Sequence, residues 1–306
     1  MSLLAIGQCV YDITLPIEEG LVENQKYRIH QKSECIGGPA TNAAYLCGLW
    51  GLDTTLVARV GSDHFGKLIK ETLETVDINT QFLSMDTSLK TSLSIVIVNT
   101  INGSRTILNQ PLPKLEKPLK LPESKPDLIL VDGRELETSL KAIELYPQAV
   151  SVIDAGTYKE TLKPLLEKVD YLVCSKDFAK QFTRIDIDIN QTETLAKTFE
   201  ALKQLNQNNL IVTLGENGVI ALIDNEIMHL NAYPAEVVDT TGAGDLFHGA
   251  FVYGLHRKLS LIDTLKLANL TASISTERFG GQTSIPSFAE VKERASLIAP
   301  DLLKYL

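Results

Sequence analysis

Between residues 127 and 213 the chain alternates short apolar runs with longer segments of helical period, and this alternation narrows the fold more than any other feature. The apolar runs fall at 128–131, 150–153, 171–173 and 210–213. The segments between them, at 136–146, 160–168, 176–182 and 192–205, read as helices. A strand–helix–strand passage closes as a right-handed crossover, so the series predicts an α/β fold built on a parallel sheet. Strands at 3–7 and 54–60 and helices over 39–49, 67–76 and 261–278 are expected on the same grounds.

With 306 residues, 44% of them hydrophobic, the chain can bury one large core and carry an appendage. A net charge of −9 argues against binding nucleic acid or an anionic membrane surface. No apolar run approaches the length of a membrane span. Residues 1–7 have no basic region ahead of their apolar run and read as a strand, not a secretion signal. Cys9, Cys35, Cys47 and Cys174 have neither CxxC nor metal spacing, which suggests buried, reduced thiols and a cytoplasmic setting. The histidines are scattered, so no zinc site is expected.

Two stretches stand apart from the alternation. Residues 12–35 mix Thr, Ile, Tyr and charge without helical period and read as short strands outside the main sheet. Residues 91–99 alternate, Asn102-Gly103 marks a turn, and 105–108 returns, which is a hairpin pattern. Together they predict a small second sheet covering a site. Prolines at 111, 113, 118, 122 and 126 then mark a surface connection, the clearest boundary in the chain.

The chemistry concentrates at residues 238–245, Val-Asp-Thr-Thr-Gly-Ala-Gly-Asp, which run into an apolar helix carrying Phe247, Ala250, Phe251, Gly254 and Leu255. N–H groups at a helix start lack helical partners, and the helix dipole makes the junction an anion site. Gly242 and Gly244 let a phosphate approach the backbone. Asp245 beside a bound phosphate makes sense if it takes a proton from an attacking hydroxyl. The stretch reads as phosphoryl transfer from a nucleotide to an alcohol, although a GAGD turn also starts ordinary helices.

Other motifs accompany it. Asp12 follows the strand at 3–7, at the sheet end where α/β folds bind ligands; a turn cap is the alternative. Gly37-Gly38-Pro39-Ala40-Thr41-Asn42 opens a helix, and Asn42 offers a donor and an acceptor to a sugar hydroxyl. Gly61, Gly66 and Lys67 have the spacing of a phosphate-binding loop, but Leu68 stands where a magnesium-holding Ser or Thr belongs, so this is a strand-to-helix turn. Thr213-Leu214-Gly215-Glu216-Asn217-Gly218 suits either a nucleotide lying on the backbone or a plain hairpin turn. Gly280-Gly281-Gln282-Thr283-Ser284 could ligate a hard cation or hold an adenine ring.

In this order the motifs resemble the ribokinase-like (PfkB) carbohydrate kinases from one end of the chain to the other. The resemblance implies a three-layer α/β/α domain over 1–306, with a β-sheet lid from about 10–35 and 91–112. It implies Asp245 as catalytic base and Gly242, Ala243 and Gly244 as the anion hole for the transferring phosphoryl group. Asp12, Gly38 and Asn42 resemble sugar contacts; Ser175, Thr213, Gly215, Gly218, Gly244 and Asn269 resemble the contacts to ATP. Asp239, Thr241, Ser275, Arg278, Gly280 and Ser284 fall where family members hold potassium. Magnesium is implied too, but the family's Asn-x-x-Glu motif is replaced by Ser175-Lys176-Asp177-Phe178, as in ketohexokinase-like members.

Lys26, Asn109 and Arg134, with the run Asp245-Leu246-Phe247-His248-Gly249-Ala250, resemble the sulfofructose kinase branch, where such residues hold a sulfonate. An anionic end on a ketohexose-like sugar suits an Arg–Lys pair; solvated surface charges are the alternative. A ribokinase, fructokinase or nucleoside kinase of the same fold, and a non-catalytic sugar or nucleotide sensor, also remain open. The expected partner is a small-molecule sugar, and pairing of lids between subunits would give a homodimer.

Overall fold

The computed structural model describes residues 1–101, 105–113 and 117–305. The Asn102-Gly103 turn lies outside the described residues. The chain order is β1 (Ser2–Gly7), β2 (Val10–Ile17), β3 (Ser33–Gly37), α1 (Pro39–Leu49), β4 (Asp53–Gly61), α2 (His64–Glu74), β5 (Leu83–Asp86), β6 (Leu93–Asn99) and β7 (Arg105–Gln110). The alternating half follows as β8 (Leu128–Val131), α3 (Leu136–Leu145), β9 (Val150–Ala155), α4 (Lys163–Leu166), β10 (Tyr171–Ser175), α5 (Lys176–Thr183), α6 (Thr192–Lys203) and β11 (Asn209–Thr213). The chain closes with β12 (Val219–Ile223), β13 (Glu226–Leu230), α7 (Ala243–His256), α8 (Leu261–Ser275) and α9 (Phe288–Ile298).

The main sheet has strand order β13-β12-β11-β10-β9-β8-β1-β4-β5. It is parallel from β5 to β11, and the last two strands turn antiparallel. Its central strands are buried on both faces, which is why they read as unbroken apolar runs. Alternate residues serve different layers: Leu128 and Leu130 of β8 pack in the core with Phe251 and Leu267, while Ile129 and Val131 join Phe178 and Phe199 on the other face. The result is a three-layer α/β/α sandwich, as the strand–helix alternation and the motif resemblance lead one to expect.

The second sheet has order β3-β2-β6-β7. β2 pairs with β6 in parallel and the other pairs are antiparallel. Its register aligns Cys35, Asp12, Ser94 and Asn109 in one row across the four strands. Asp12 therefore lies within β2, not on the turn just past β1 where the sequence suggests it, because pairing with β3 resumes at Val10.

Several boundaries differ from the sequence reading for local reasons. α2 begins at His64, not 67, because the Asp63 carboxylate caps it by accepting from the Gly66 N–H at 3.0 Å. The helix expected over 160–168 divides into a 3-10 turn at Glu160–Leu162 and the short α4, restarted by Pro164 in its first turn. α8 stops at Ser275. The short strands β5 and β13, and α9 with its Ser287–Glu290 capping box, are additional elements without a periodic signal long enough to announce them.

Asp63 does more than cap α2. Its carboxylate also accepts from the Thr91 hydroxyl at 2.6 Å and the Thr91 N–H at 2.9 Å, and that hydroxyl accepts from the Gly61 N–H at 3.0 Å. One side chain thus joins the end of β4, the start of α2 and the root of β6. Asp63→Ala should cost about 1–3 kcal/mol of stability, since it removes a cap and leaves part-buried donors unpaired. Urea unfolding with an unchanged m-value would measure it.

Candidate active site

The site forms where α7 begins. Gly242 has φ 77°, and a Cβ there would lie 3.0 Å from the Gly281 Cα, so only glycine serves without strain. The Ala243 N–H reaches the Thr240 carbonyl at 3.3 Å, while a first turn leaves the Gly244 and Asp245 N–H groups without acceptors inside the helix. A Cβ on Gly244 would meet nothing within 4 Å, so the backbone at this point faces open space.

Helix α1 supplies the facing residues. Gly38 caps it with φ 101°, and a Cβ there would meet the Gln8 carbonyl oxygen at 2.4 Å. One turn later Asn42, buried, donates from Nδ2 to the Asp245 Oδ2 at 2.7 Å. Its Oδ1 has no hydrogen-bond partner among the described residues and is left to accept from a bound group. Burial, and then the neighbouring Asp154 carboxylate, push the Asp245 carboxyl up to about 7, against the pull of the Asn42 hydrogen bond.

Two further carboxylates lie at the ends of adjacent strands. Asp132, just past β8, accepts from the N–H groups of Gln8 at 2.8 Å, Arg134 at 2.9 Å and Ala40 at 3.3 Å, and so fixes the start of α1 against the sheet. Asp154, in β9, is pushed up to about 8 by burial and by Asp132. Asp12, held by Ser94, is raised by burial in the second sheet.

Beside α7 opens a cleft of about 560 Å³, lined by Thr213, Gly215, Gly218, Gly244, Asn269 and Tyr233 among others. Five of these six are residues singled out from sequence; Tyr233, with Pro234, Ala235 and Val237, had no motif to mark it. Gly218 has φ 84°, with the Leu230 carbonyl oxygen 2.0 Å from where a Cβ would stand. The 213–218 stretch is thus both a turn into β12 and one wall of the cleft. Asn269 is held by donating from Nδ2 to the Asn231 carbonyl at 2.7 Å. Ser175 does not line this cleft but stands beside Thr213 in the register of β10 and β11; its hydroxyl caps α5 by accepting from the Phe178 N–H at 3.0 Å and donates to the Gly156 carbonyl at 2.8 Å.

Asp239 ties the loops at 239–241 and 280–284 together. Its Oδ1 accepts from the Thr241 N–H at 2.9 Å and hydroxyl at 2.7 Å, and its Oδ2 from the Gly280 N–H at 2.9 Å. The Arg278 N–H reaches the Ser275 carbonyl, Arg278 pairs with Glu290, and the Ser284 hydroxyl donates to the Gly281 carbonyl. Among the described residues no cluster of three His, Cys, Asp or Glu side chains could cage a metal.

The residues read as an anionic subsite are not gathered in one place. Asn109 donates to the Ser94 hydroxyl at 3.0 Å and so stands in the row that contains Asp12. Arg134 donates to the Leu112 carbonyl and lines a small recess with Gln8, Arg59, Ser92 and Glu135. Lys26 is exposed on the connection between β2 and β3.

Comparison with known proteins agrees with this architecture. A family model described as pfkB family carbohydrate kinase matches residues 1–287. The ribokinase of Lactococcus lactis is 30% identical over 268 residues, 84% of each chain, and the fructokinase of Klebsiella pneumoniae 24% identical over 92% of this chain and 95% of its own. The crystal structure of a ribokinase from Thermotoga maritima superposes with a TM-score of 0.82 at 24% identity, over 96% of this chain and 99% of its own. The structure of Arabidopsis thaliana ribokinase complexed with ribose and ATP superposes with a TM-score of 0.80 at 22% identity, over 95% and 97%. Sequence and fold together define a phosphotransferase with an alcohol group as acceptor. The chain belongs to the pfkB family of carbohydrate kinases and is a sugar kinase of that family.

Asp239→Ala would remove the carboxylate that holds Thr241 and the buried Gly280 N–H. A loss of about 2–3 kcal/mol is expected, read as a lowered Tm.

Proposed function

We propose that the protein is an ATP-dependent kinase for a ketohexose-like sugar with an anionic end, such as sulfofructose, and that Asp245 is its general base. The observation that carries the assignment of the base is the Asn42–Asp245 hydrogen bond, which holds a half-buried carboxylate beside an open helix start. Asp245 takes the proton of a sugar hydroxyl as that oxygen attacks the terminal phosphorus of ATP. The bond to the β-phosphate oxygen breaks, and ADP leaves. Gly242, Ala243 and Gly244 receive the transferring group at the α7 start, where backbone N–H groups offset its growing charge. Thr213, Gly215, Gly218 and Asn269 line the cleft for the nucleotide. Asp12, Gly38 and Asn42 face the sugar, and the second sheet, from about 10–35 and 91–112, serves as its lid.

The oxygen-rich Asp239–Ser284 region suits a potassium ion: the Asp239 carboxylate joins two loops there and Gly280 takes φ 87°. Magnesium enters with the triphosphate and is held chiefly by its oxygens, as such ions usually are. The four free, buried cysteines support a reducing, cytoplasmic setting. β7 is an edge strand with Ile107 and Leu108 exposed, which supports a homodimer through the lid. Among the described residues no helix is long and apolar enough to cross a membrane.

For the sugar, the guanidinium of Arg134 beside Gln8 and Ser92 supports an anionic end; Asn109 in the Asp12 row adds a neutral hydrogen-bonding group, and the exposed Lys26 adds no support. The ribokinase and fructokinase relatives support a neutral sugar as the second reading. ADP release with sulfofructose, fructose, ribose and nucleosides separates the two. Arg134→Ala should raise KM for the anionic sugar about 10-fold or more and hardly change that for fructose; equal effects on both would remove the anionic reading.

Asp245→Asn should lower kcat by on the order of 10²–10⁴ with sugar affinity nearly kept. Because the base must be ionised to accept a proton, kcat/KM should fall on the acid side with an apparent pKa near 7. A profile flat down to pH 5 would exclude Asp245 as that base.

A further inference from the structure

One buried group near the site has no part in the reaction outlined above. His248, 3% exposed, lies on the second turn of α7, and both of its ring nitrogens face oxygen. Nδ1 is 2.6 Å from the Gly244 carbonyl oxygen and 3.1 Å from Asp154 Oδ2; Nε2 is 3.1 Å from the Val173 carbonyl oxygen. The ring thus bridges the start of α7 to Asp154 of β9 and Val173 in the middle of β10. Asp154 Oδ2 has no hydrogen-bond partner among the described residues, and the ring lies at ion-pair distance from it.

Carbonyl oxygens can only accept. Val173 requires a proton on Nε2, and Gly244 requires one on Nδ1, so the contacts are all satisfied only by the doubly protonated ring. Its positive charge then meets the Asp154 carboxylate, and the buried pair is neutral as a whole. The rival arrangement places the proton on Asp154 and leaves a bare Nδ1 lone pair against the Gly244 carbonyl at 2.6 Å. Burial holds the ring below the usual histidine range and pushes the Asp154 carboxyl up to about 8, and both favour that rival; the two carbonyls oppose it.

We infer that His248 is a positioning residue: as an imidazolium paired with Asp154, it anchors the first turn of α7 and screens Asp245 from the Asp154 charge. The screening follows from the groups that face one another here. Asp245 feels Asp154 of β9 and Asp132 beyond β8 as repulsive, and His248 of its own helix as attractive; Asn42 of α1 is neutral. The inference rests on Asp245 being the general base.

Asp154 is the repulsive member of the pair and His248 the attractive one. In Asp154→Asn the repulsion is gone, and the acid limb of kcat/KM should move down by about half to one pH unit. In His248→Asn the buried Asp154 carboxyl loses its counter-charge and takes up a proton, so the limb should not rise, while turnover falls with the loss of the anchor. A residue that merely packs would lower turnover without moving the limb in Asp154→Asn. An unmoved or raised limb in Asp154→Asn would overturn the inference.

If either variant fails to fold, ¹⁵N NMR of histidine-labelled wild-type protein decides. Both His248 nitrogens should be protonated at pH 7; a neutral tautomer would overturn the proposal. Undiminished turnover in Asp245→Asn would instead remove the base assignment and leave the NMR result to stand by itself.

Discussion

The site depends on how closely two helices can approach. A Cβ on Gly249 of α7 would lie 3.0 Å from both the Cα and the carbonyl oxygen of Ala43 in α1. With glycine opposite alanine the two backbones come into near contact, and the first turns of both helices open onto one space. Asn42 and Asp245 meet there although 203 residues separate them. A larger residue at 249 would part the helices and with them the hydrogen bond. The Asp245 carboxylate is placed by packing in the core, one helical turn away.

Around this contact the main sheet distributes its functional groups by strand end. Asp132 follows β8, Asp154 lies in β9, and Thr213 ends β11, all at the carboxyl edge where open α/β sheets hold ligands. Asp132 is satisfied by three backbone N–H groups and acts as a fixed post. Asp154 instead leaves its Oδ2 without a hydrogen-bond partner among the described residues, at ion-pair distance from the His248 ring. The same residue type at neighbouring positions therefore does different work, according to what the adjacent loop offers it.

Much of this was legible in the sequence. The alternation after residue 127 announced the parallel sheet because long apolar periods report burial directly. The turn at 242–245 and the cleft residues Thr213, Gly215 and Gly218 are marked by glycines and small polar residues, whereas Asn269, inside α8, is marked by the family resemblance alone. Pairings between distant segments were not legible. Nothing local says that Asn42 reaches Asp245, that His248 spans two strands, or that Ser175 is occupied by the cap of α5. Asp63 falls inside the strand-to-helix turn that starts at Gly61, and nothing local signals its second partner, Thr91, at the root of another sheet. Lys26 and Arg134 looked alike as charges in sequence, but one stands exposed and the other is tied to the Leu112 carbonyl.

The passage from β3 into α1 has a further consequence. Strand and helix are separated by a single residue, Gly38, held against the Gln8 carbonyl. There is no slack between the small sheet and the helix whose first turn carries Asn42. Any tilt of that sheet is delivered within one turn to the amide that grips Asp245. The second sheet and the Asn42–Asp245 pair thus share a linkage without play, and a change of shape in that sheet cannot leave the pair untouched.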